Sequence, residues 1–172
     1  MLGNLKEYFI KKTFRKSLIS SELNRVVSQN KIHTVGIIVD VEISNEIDIQ
    51  KEVEVYLNLY NAKMYSFKTY HKKNKVSYKY FSERDFGWRG QVTNPNFKSF
   101  IEQPFDLLIG YFNNNNLYLE NAVLHSNAKF KAGISNVNQE LYDIEIAANP
   151  KNSKEFLLEL KRYLKILGKL KN

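Results

Sequence analysis

The chain of 172 residues has the length of one domain, and its 43% hydrophobic and 26% charged residues are typical of a globular protein. It contains no cysteine, which excludes disulfides, thiolate catalysis, iron–sulfur clusters and cysteine-based zinc sites. No apolar stretch approaches the roughly 18 residues that a membrane span requires, and the first residues lack the apolar run of a signal peptide. We therefore expect an unprocessed protein of the cytoplasm with no transmembrane span.

The formal net charge of +8 is concentrated at the two ends of the chain. Residues 1–31 and residues 151–172 each carry seven basic and two acidic side chains, a net +5 apiece, which leaves −2 for the middle. This asymmetry favours binding to a polyanion, either nucleic acid or an anionic membrane surface. Two simpler causes of the charge stay open: a coding sequence rich in A and T adds lysines without a functional demand, and lysines complement the dipoles of helix C-termini.

The first segment, residues 2–28, is predicted to be helical because it lacks proline and is rich in good helix formers. Its apolar residues fall on two faces, one with Leu2, Leu5 and Phe9 and the other with Ile10, Phe14 and Leu18. The pattern indicates either one helix that contacts more than one surface or two helices with a break near Ser20 and Ser21. Oligomerisation through this helix would also explain the second apolar face.

Buried parallel strands are predicted at HTVGIIVDV (residues 33–41) and FDLLIGYF (residues 105–112), which are apolar on both faces. Between them, a helix capped by Asn45 precedes a strand at AKMYSFKTY, residues 62–70. A strand, a helix and a second strand in this order form a βαβ unit with a right-handed crossover.

The remaining elements continue the alternation of strands and helices. We predict a short edge strand at 71–80, a long loop at 81–96, helices at 97–102 and 117–126, strands at 128–135 and 141–148, and a last helix capped by Ser153. The order predicts a single mostly parallel sheet with helices on both faces, Rossmann-like or flavodoxin-like. We divide the chain into a basic N-terminal helical segment, residues 1–31, and an α/β domain, residues 32–172, which includes the amphipathic C-terminal helix.

Small ligands of open parallel sheets bind beyond the carboxyl ends of the strands. The candidates that the sequence places there are Asp40, Glu42, His71, Ser135, Asn149 and Asn113, the first of four consecutive asparagines. Asp40 and Glu42 could hold Mg²⁺ with help from Asp48, but a solvated, helix-capping turn is the simpler explanation. The first turn after the strand, DVEISNEID, has four acidic side chains and no glycine, so it would repel a phosphate.

No catalytic constellation emerges from the remaining residues. The three histidines are far apart and lack the spacing of zinc ligands, and no GxSxG motif marks a nucleophilic serine. We therefore assign no catalytic residue, no metal ligand and no cofactor.

The FGWRG segment, residues 86–90, combines aromatic and guanidinium side chains that can stack on a base or grip an acidic partner. The alternative is that this loop buries Phe86 and Trp88 in the hydrophobic core. The candidates for contact with a polyanion are Lys11, Lys12, Arg15, Lys16, Lys72, Lys73, Arg84, Trp88, Arg89, Lys161, Arg162 and Lys165.

The segments TVGIIVD, FSERDFGWRG, FDLLIGYF and SNAKFKAGIS, followed by an amphipathic helix, resemble an uncharacterised family of short α/β proteins from Bacteroidota. That resemblance covers nearly the whole chain and implies no activity. HSNAKFKAG alone resembles a segment of heptosyltransferase-type glycosyltransferases. It implies one Rossmann-like half, with no nucleotide-sugar residue to carry over.

These observations lead to three hypotheses. The first is a non-catalytic cytoplasmic binding or adaptor protein whose basic terminal helices contact RNA, a ribonucleoprotein or an acidic protein. The second is a degenerate Rossmann-type enzyme that binds a small ligand or a sugar nucleotide at the carboxyl edge of the sheet. The third is a protein-interaction module that forms a homo-oligomer.

Overall fold

The structure is a computed structural model that describes residues 2–73, 77–135 and 139–171. Its strands are β1 (Val35–Asp40), β2 (Lys63–Phe67), β3 (Tyr80–Phe81), β4 (Leu107–Tyr111), β5 (Lys131–Ile134) and β6 (Ile144–Ile146). Its helices are α1 (Leu2–Leu23), α2 (Val41–Glu46), α3 (Ile49–Leu57), α4 (Pro95–Glu102), α5 (Leu117–His125) and α6 (Ser153–Ile166). Short 3₁₀ turns lie at Glu83–Asp85 and Gln139–Leu141. The predicted edge strand at 71–80 is reduced to β3, and residues 74–76 of that segment lie outside the described residues.

The six strands form one sheet in the order β3-β2-β1-β4-β5-β6, and every neighbouring pair is parallel. This is the strand order of the doubly wound Rossmann fold, whose direction of winding reverses between β1 and β4. The flavodoxin-like alternative has a different order. The predicted parallel α/β sheet with helices on both faces is therefore confirmed.

The central strand β1 is buried on both faces because its side chains alternate between two cores. Val35, Ile37 and Val39 pack with α3 and α6 on one face of the sheet. Ile38 packs with α1, α4 and α5 on the other face. The apolar character of both faces, visible in the sequence, follows from this three-layer arrangement.

The helix α1 is continuous from Leu2 to Leu23, with no break at the two serines. Ile10, Phe14 and Leu18 are its buried residues, and they pack against the aromatic-rich core on the α5 side of the sheet. The helix ends five residues earlier than predicted. Arg25 donates hydrogen bonds to the main-chain carbonyls of Tyr142, at 2.6 Å, and of Glu140, which anchors the chain that follows the helix.

Two predicted helix caps are wrong. The chain enters α2 directly after β1, so Asn45 lies inside that helix, and Asp48 caps α3 by accepting the N–H of Lys51 at 3.2 Å. At the last helix, Ser153 is the first helical residue, and Asn152 is the cap. In both cases a neighbouring side chain with the same capping chemistry takes the role.

Tyr142 packs closely over β4 and β5. Gly110 and Gly133 are register partners in these strands, and a Cβ atom at Gly133 would lie 2.1 Å from Cζ of Tyr142. At Gly110 the corresponding distance is 2.2 Å, to Oη of the same ring. The two glycines therefore make the room that the tyrosine ring occupies.

We predict that Gly133→Ala lowers the free energy of unfolding by about 1–3 kcal/mol or more, because the added methyl overlaps a rigid, buried ring. Urea unfolding measures this change. Gly3→Ala is the control: it adds the same methyl to α1, where nothing lies within 4 Å, and should stabilise the protein slightly. Equal stability of Gly133→Ala and the wild type would contradict this packing of Tyr142 against the strands.

Candidate functional site

The crevice at the winding reversal lies between the carboxyl ends of β1 and β4, and a hydrogen bond between side chains joins its two sides. Asp40, the last residue of β1, accepts the N–H of Glu42 at 2.9 Å through Oδ1 and so caps α2. Its other oxygen, Oδ2, accepts the side-chain amide of Asn114 at 3.3 Å, across from the end of β4. Both carboxylate oxygens thus have protein partners, and the Glu42 contact uses its main chain.

The other candidates from the carboxyl ends of the strands are held separately. Asn113 is exposed, and His71 is exposed in the segment that follows β2. Ser135 donates its main-chain N–H to Ile146 at 2.9 Å, and Asn149 accepts the N–H of Lys151 at 2.9 Å in the turn before α6. At this edge the structure joins Asp40 to the second asparagine of the run that begins at Asn113.

Among the described residues, no group of three or more His, Asp or Glu side chains is placed to hold a metal ion. The described helices also include none with the length and apolar character needed to cross a membrane.

A groove of about 380 Å³ lies between α1 and the FGWRG loop. It is lined by Phe9, Lys12, Thr13, Lys16, Trp88 and Arg89. Four of these residues, Lys12, Lys16, Trp88 and Arg89, are predicted polyanion contacts from two distant parts of the sequence. The structure brings them onto one surface, together with Phe9, whose exposure follows from the second apolar face of α1.

The FGWRG loop buries one aromatic ring and exposes the other. Phe86 lies in the core and forms a bridge with Val92, whereas Trp88 is 46% exposed. Gly90 has a φ of +79°, a left-handed value that favours glycine, and its carbonyl accepts the side-chain amide of buried Asn121 at 2.6 Å. The tight turn holds Trp88 at the groove.

Several other predicted polyanion contacts have partners within the protein. Lys11 pairs with Glu7 at 2.9 Å, and Arg162 pairs with Glu159. The guanidinium of Arg84 lies 3.8 Å from the ring centroid of Tyr70. Arg15, Lys72 and Lys73 are exposed and lie outside the groove lining.

Lys161 and Lys165 lie elsewhere, in a pocket at the amino-terminal edge of the sheet. Lys31, His33, Lys169 and Lys171 line the same pocket, and none of these four was a predicted polyanion contact. The three lysines among them belong to the basic terminal segments, which are visible in the sequence. Their proximity depends on the fold.

The fold changes the titration of Lys131, which lies at the start of β5. Burial lowers its pKa to about 8, although Asp143 opposes this effect. Its ammonium donates to the carbonyls of Val123 and Leu124 at 2.7 and 3.1 Å, where α5 ends. This geometry indicates a structural lysine that caps the C-terminus of α5.

We predict that the protein becomes more stable as the pH rises from about 8 to about 9.5. As the pH rises above about 8, folded Lys131 loses its proton while the unfolded lysine still binds one, so stability increases by up to about 1.4 kcal/mol per pH unit. Urea unfolding across this range measures the slope. Lys131→Met should reduce it to what Lys169 contributes, because burial also lowers the pKa of Lys169; an unchanged slope in that variant would contradict the assignment.

The comparisons with known proteins place the chain in a family. Residues 6–167 match the model of a family of unknown function, DUF6913. No curated protein and no solved structure matches the chain. The matched segment includes every strand of the sheet, both sides of the α1 groove, and α6. Because the match extends over almost the whole sequence, the chain belongs to DUF6913, a family of unknown function.

Proposed function

We propose that this chain is a non-catalytic RNA-binding or adaptor protein of the cytoplasm. Its RNA site is the groove between α1 and the FGWRG loop. The observation that supports this proposal is the combination of two half-exposed aromatic rings with three cations in one groove. Proteins that bind single-stranded nucleic acid use this combination, in which bases stack on the rings and cations follow the backbone.

The aromatic part of the groove suits a base. Phe9 is 44% exposed and Trp88 is 46% exposed, and their ring centroids are 6.2 Å apart with a tilt of 60°. The rings are therefore close neighbours but are not stacked face to face, and each keeps surface for another π-system. An acidic peptide would neutralise the lysines without using these ring faces, so RNA fits the groove better.

The cationic part of the groove is available for phosphates. In the described part of the chain, neither Lys12 nor Lys16 is ion-paired, and no carboxylate lines the groove. The two lysines are four residues apart, so they lie on the same face of α1. Arg89 stands beside Trp88 on the opposite wall.

The strand order supports a second candidate, a degenerate Rossmann-type protein that binds a small ligand or a sugar nucleotide. The contact between Asp40 and Asn114 lies at the winding reversal, where such folds bind ligands. A ligand there would have to replace that contact and tolerate the acidic first turn. A thermal-shift screen with nucleotide sugars tests it, because a ligand that binds the native state raises the melting temperature.

We predict that Trp88→Ala weakens binding to a single-stranded RNA of about a dozen nucleotides by roughly five- to 150-fold, since one stacked base contributes about 1–3 kcal/mol.

Lys12→Gln with Lys16→Gln should reduce the slope of log K against log salt by about 1.4. Fluorescence anisotropy over a salt series measures both effects.

The matched control is Lys51→Gln with Lys154→Gln, which removes the same charge from α3 and α6, the helices that cover the other face of the sheet. It should leave the affinity almost unchanged. If it weakens binding as much as the α1 variant, binding depends on net charge and the groove is not the site. If Trp88→Ala has no effect, the stacking proposal is wrong, and tighter binding to polyglutamate would favour an acidic protein partner.

A further inference from the structure

A second basic site lies at the amino-terminal edge of the sheet, opposite the edge where the Rossmann rule places ligands. It is a pocket of about 310 Å³, within the size range of small-molecule sites. The basic residues that line it are Lys31, His33, Lys161, Lys165, Lys169 and Lys171. It shares no lining residue with the groove on α1, so it is independent of the RNA proposal.

The fold forms this pocket by joining the two basic ends of the chain. The α6 helix is followed by Gly168, whose φ of +67° turns the chain back toward the sheet. The carbonyl of Lys169 then accepts the N–H of Ile32 at 2.9 Å. The buried ammonium of Lys169 donates to the carbonyl of Ser28 and lies 4.4 Å from the ring centroid of Phe130. These contacts bring Lys31 and Lys171 to the same pocket.

Four of the lysines, Lys31, Lys161, Lys165 and Lys171, have no acidic partner among the described residues. Asp106 accepts the main-chain N–H of His33 at 3.0 Å, but its carboxylate is already paired with Lys129 at 2.8 Å. No acidic residue of the described chain lines the pocket. Carboxylates of the described residues therefore do not neutralise the positive charge of these four lysines.

Helix dipoles explain only part of this arrangement. The C-termini of α3 and α6 both reach the pocket, and each contributes about −0.5 of a charge. Four ammonium groups set against these two helix ends leave an excess of about +3. Capping of two helix ends does not require so many cations. Such an excess is repulsive in the free protein and is relieved by a multivalent anion.

We propose that this pocket binds a compact compound with two or more linked phosphoryl groups, of the inorganic pyrophosphate class. Lysine ammonium groups bind phosphate as point charges, and several can surround one small, highly charged ligand. The described lining has no arginine and, apart from His33, no aromatic ring. It therefore differs from the groove on α1, where an indole ring can stack on a base.

The test uses the full chain with sodium pyrophosphate as the probe and sodium sulfate at equal ionic strength as the reference. Pyrophosphate should raise the melting temperature in a concentration-dependent, saturable way, and sulfate should do so much less. Lys161→Gln with Lys165→Gln should weaken pyrophosphate binding at least roughly tenfold by isothermal titration calorimetry. The ligand-dependent shift is the quantity to compare, because removing two repelling charges also changes the stability of the free protein.

Lys12→Gln with Lys16→Gln is the matched control, since it removes two lysines at the same spacing from α1. It should keep the pyrophosphate affinity of the wild type. Equal stabilisation by sulfate, or an unchanged affinity in the Lys161 and Lys165 variant, would overturn the proposal. If that variant loses RNA binding to the same degree as pyrophosphate binding, the pocket belongs to a nucleic-acid path and the small-ligand proposal is wrong. Failure with pyrophosphate alone leaves the groove on α1 unaffected.

Discussion

Burial of β1 on both faces is the constraint on which the rest of this structure depends. A strand with apolar side chains on both faces is stable only when water is excluded from both faces, so helices must cover both faces of the sheet. The helices α3 and α6 cover one face, and α1, α4 and α5 cover the other. The α1 helix uses only one of its apolar faces for this purpose. The other face stays in solvent beside Trp88, and the groove that we assign to RNA results from this division.

The same packing separates the positive charge into two surfaces with different chemistry. On α1, lysines and an arginine stand beside aromatic rings, which suits a flexible strand with bases. At the amino-terminal edge, lysines surround a pocket whose described lining has no aromatic ring apart from His33, which suits a small ligand rich in phosphate. The sequence alone shows only that the two ends of the chain are basic, and it does not distinguish the two surfaces. Their different neighbours make them different candidate sites.

The carboxyl edge of the sheet shows that a shared strand order does not by itself determine function. The order of the strands is that of the Rossmann fold, yet the first turn carries Asp40 and Glu42 where dinucleotide-binding folds carry glycines. Asp40 uses both oxygens within the protein, one on the N-terminus of α2 and one on Asn114. A phosphate would meet negative charge there, so the two basic sites are the better candidates for phosphate ligands.

The sequence by itself determined the fold class, the buried strands, the position of most helices and the location of charge along the chain. These features depend on local periodicity and composition, which a single segment contains in full. It also supplied several members of the two sites, including Trp88, Lys161 and Lys165, and part of the capping chemistry. Only the tertiary structure decided that Trp88 is exposed while Phe86 is buried, that Phe9 lies next to Trp88, and that Lys31 and Lys171 line one pocket. Each of these facts depends on contacts between residues far apart in sequence, which no local pattern records. The physical reason is that such contacts are set by how the helices pack on the sheet.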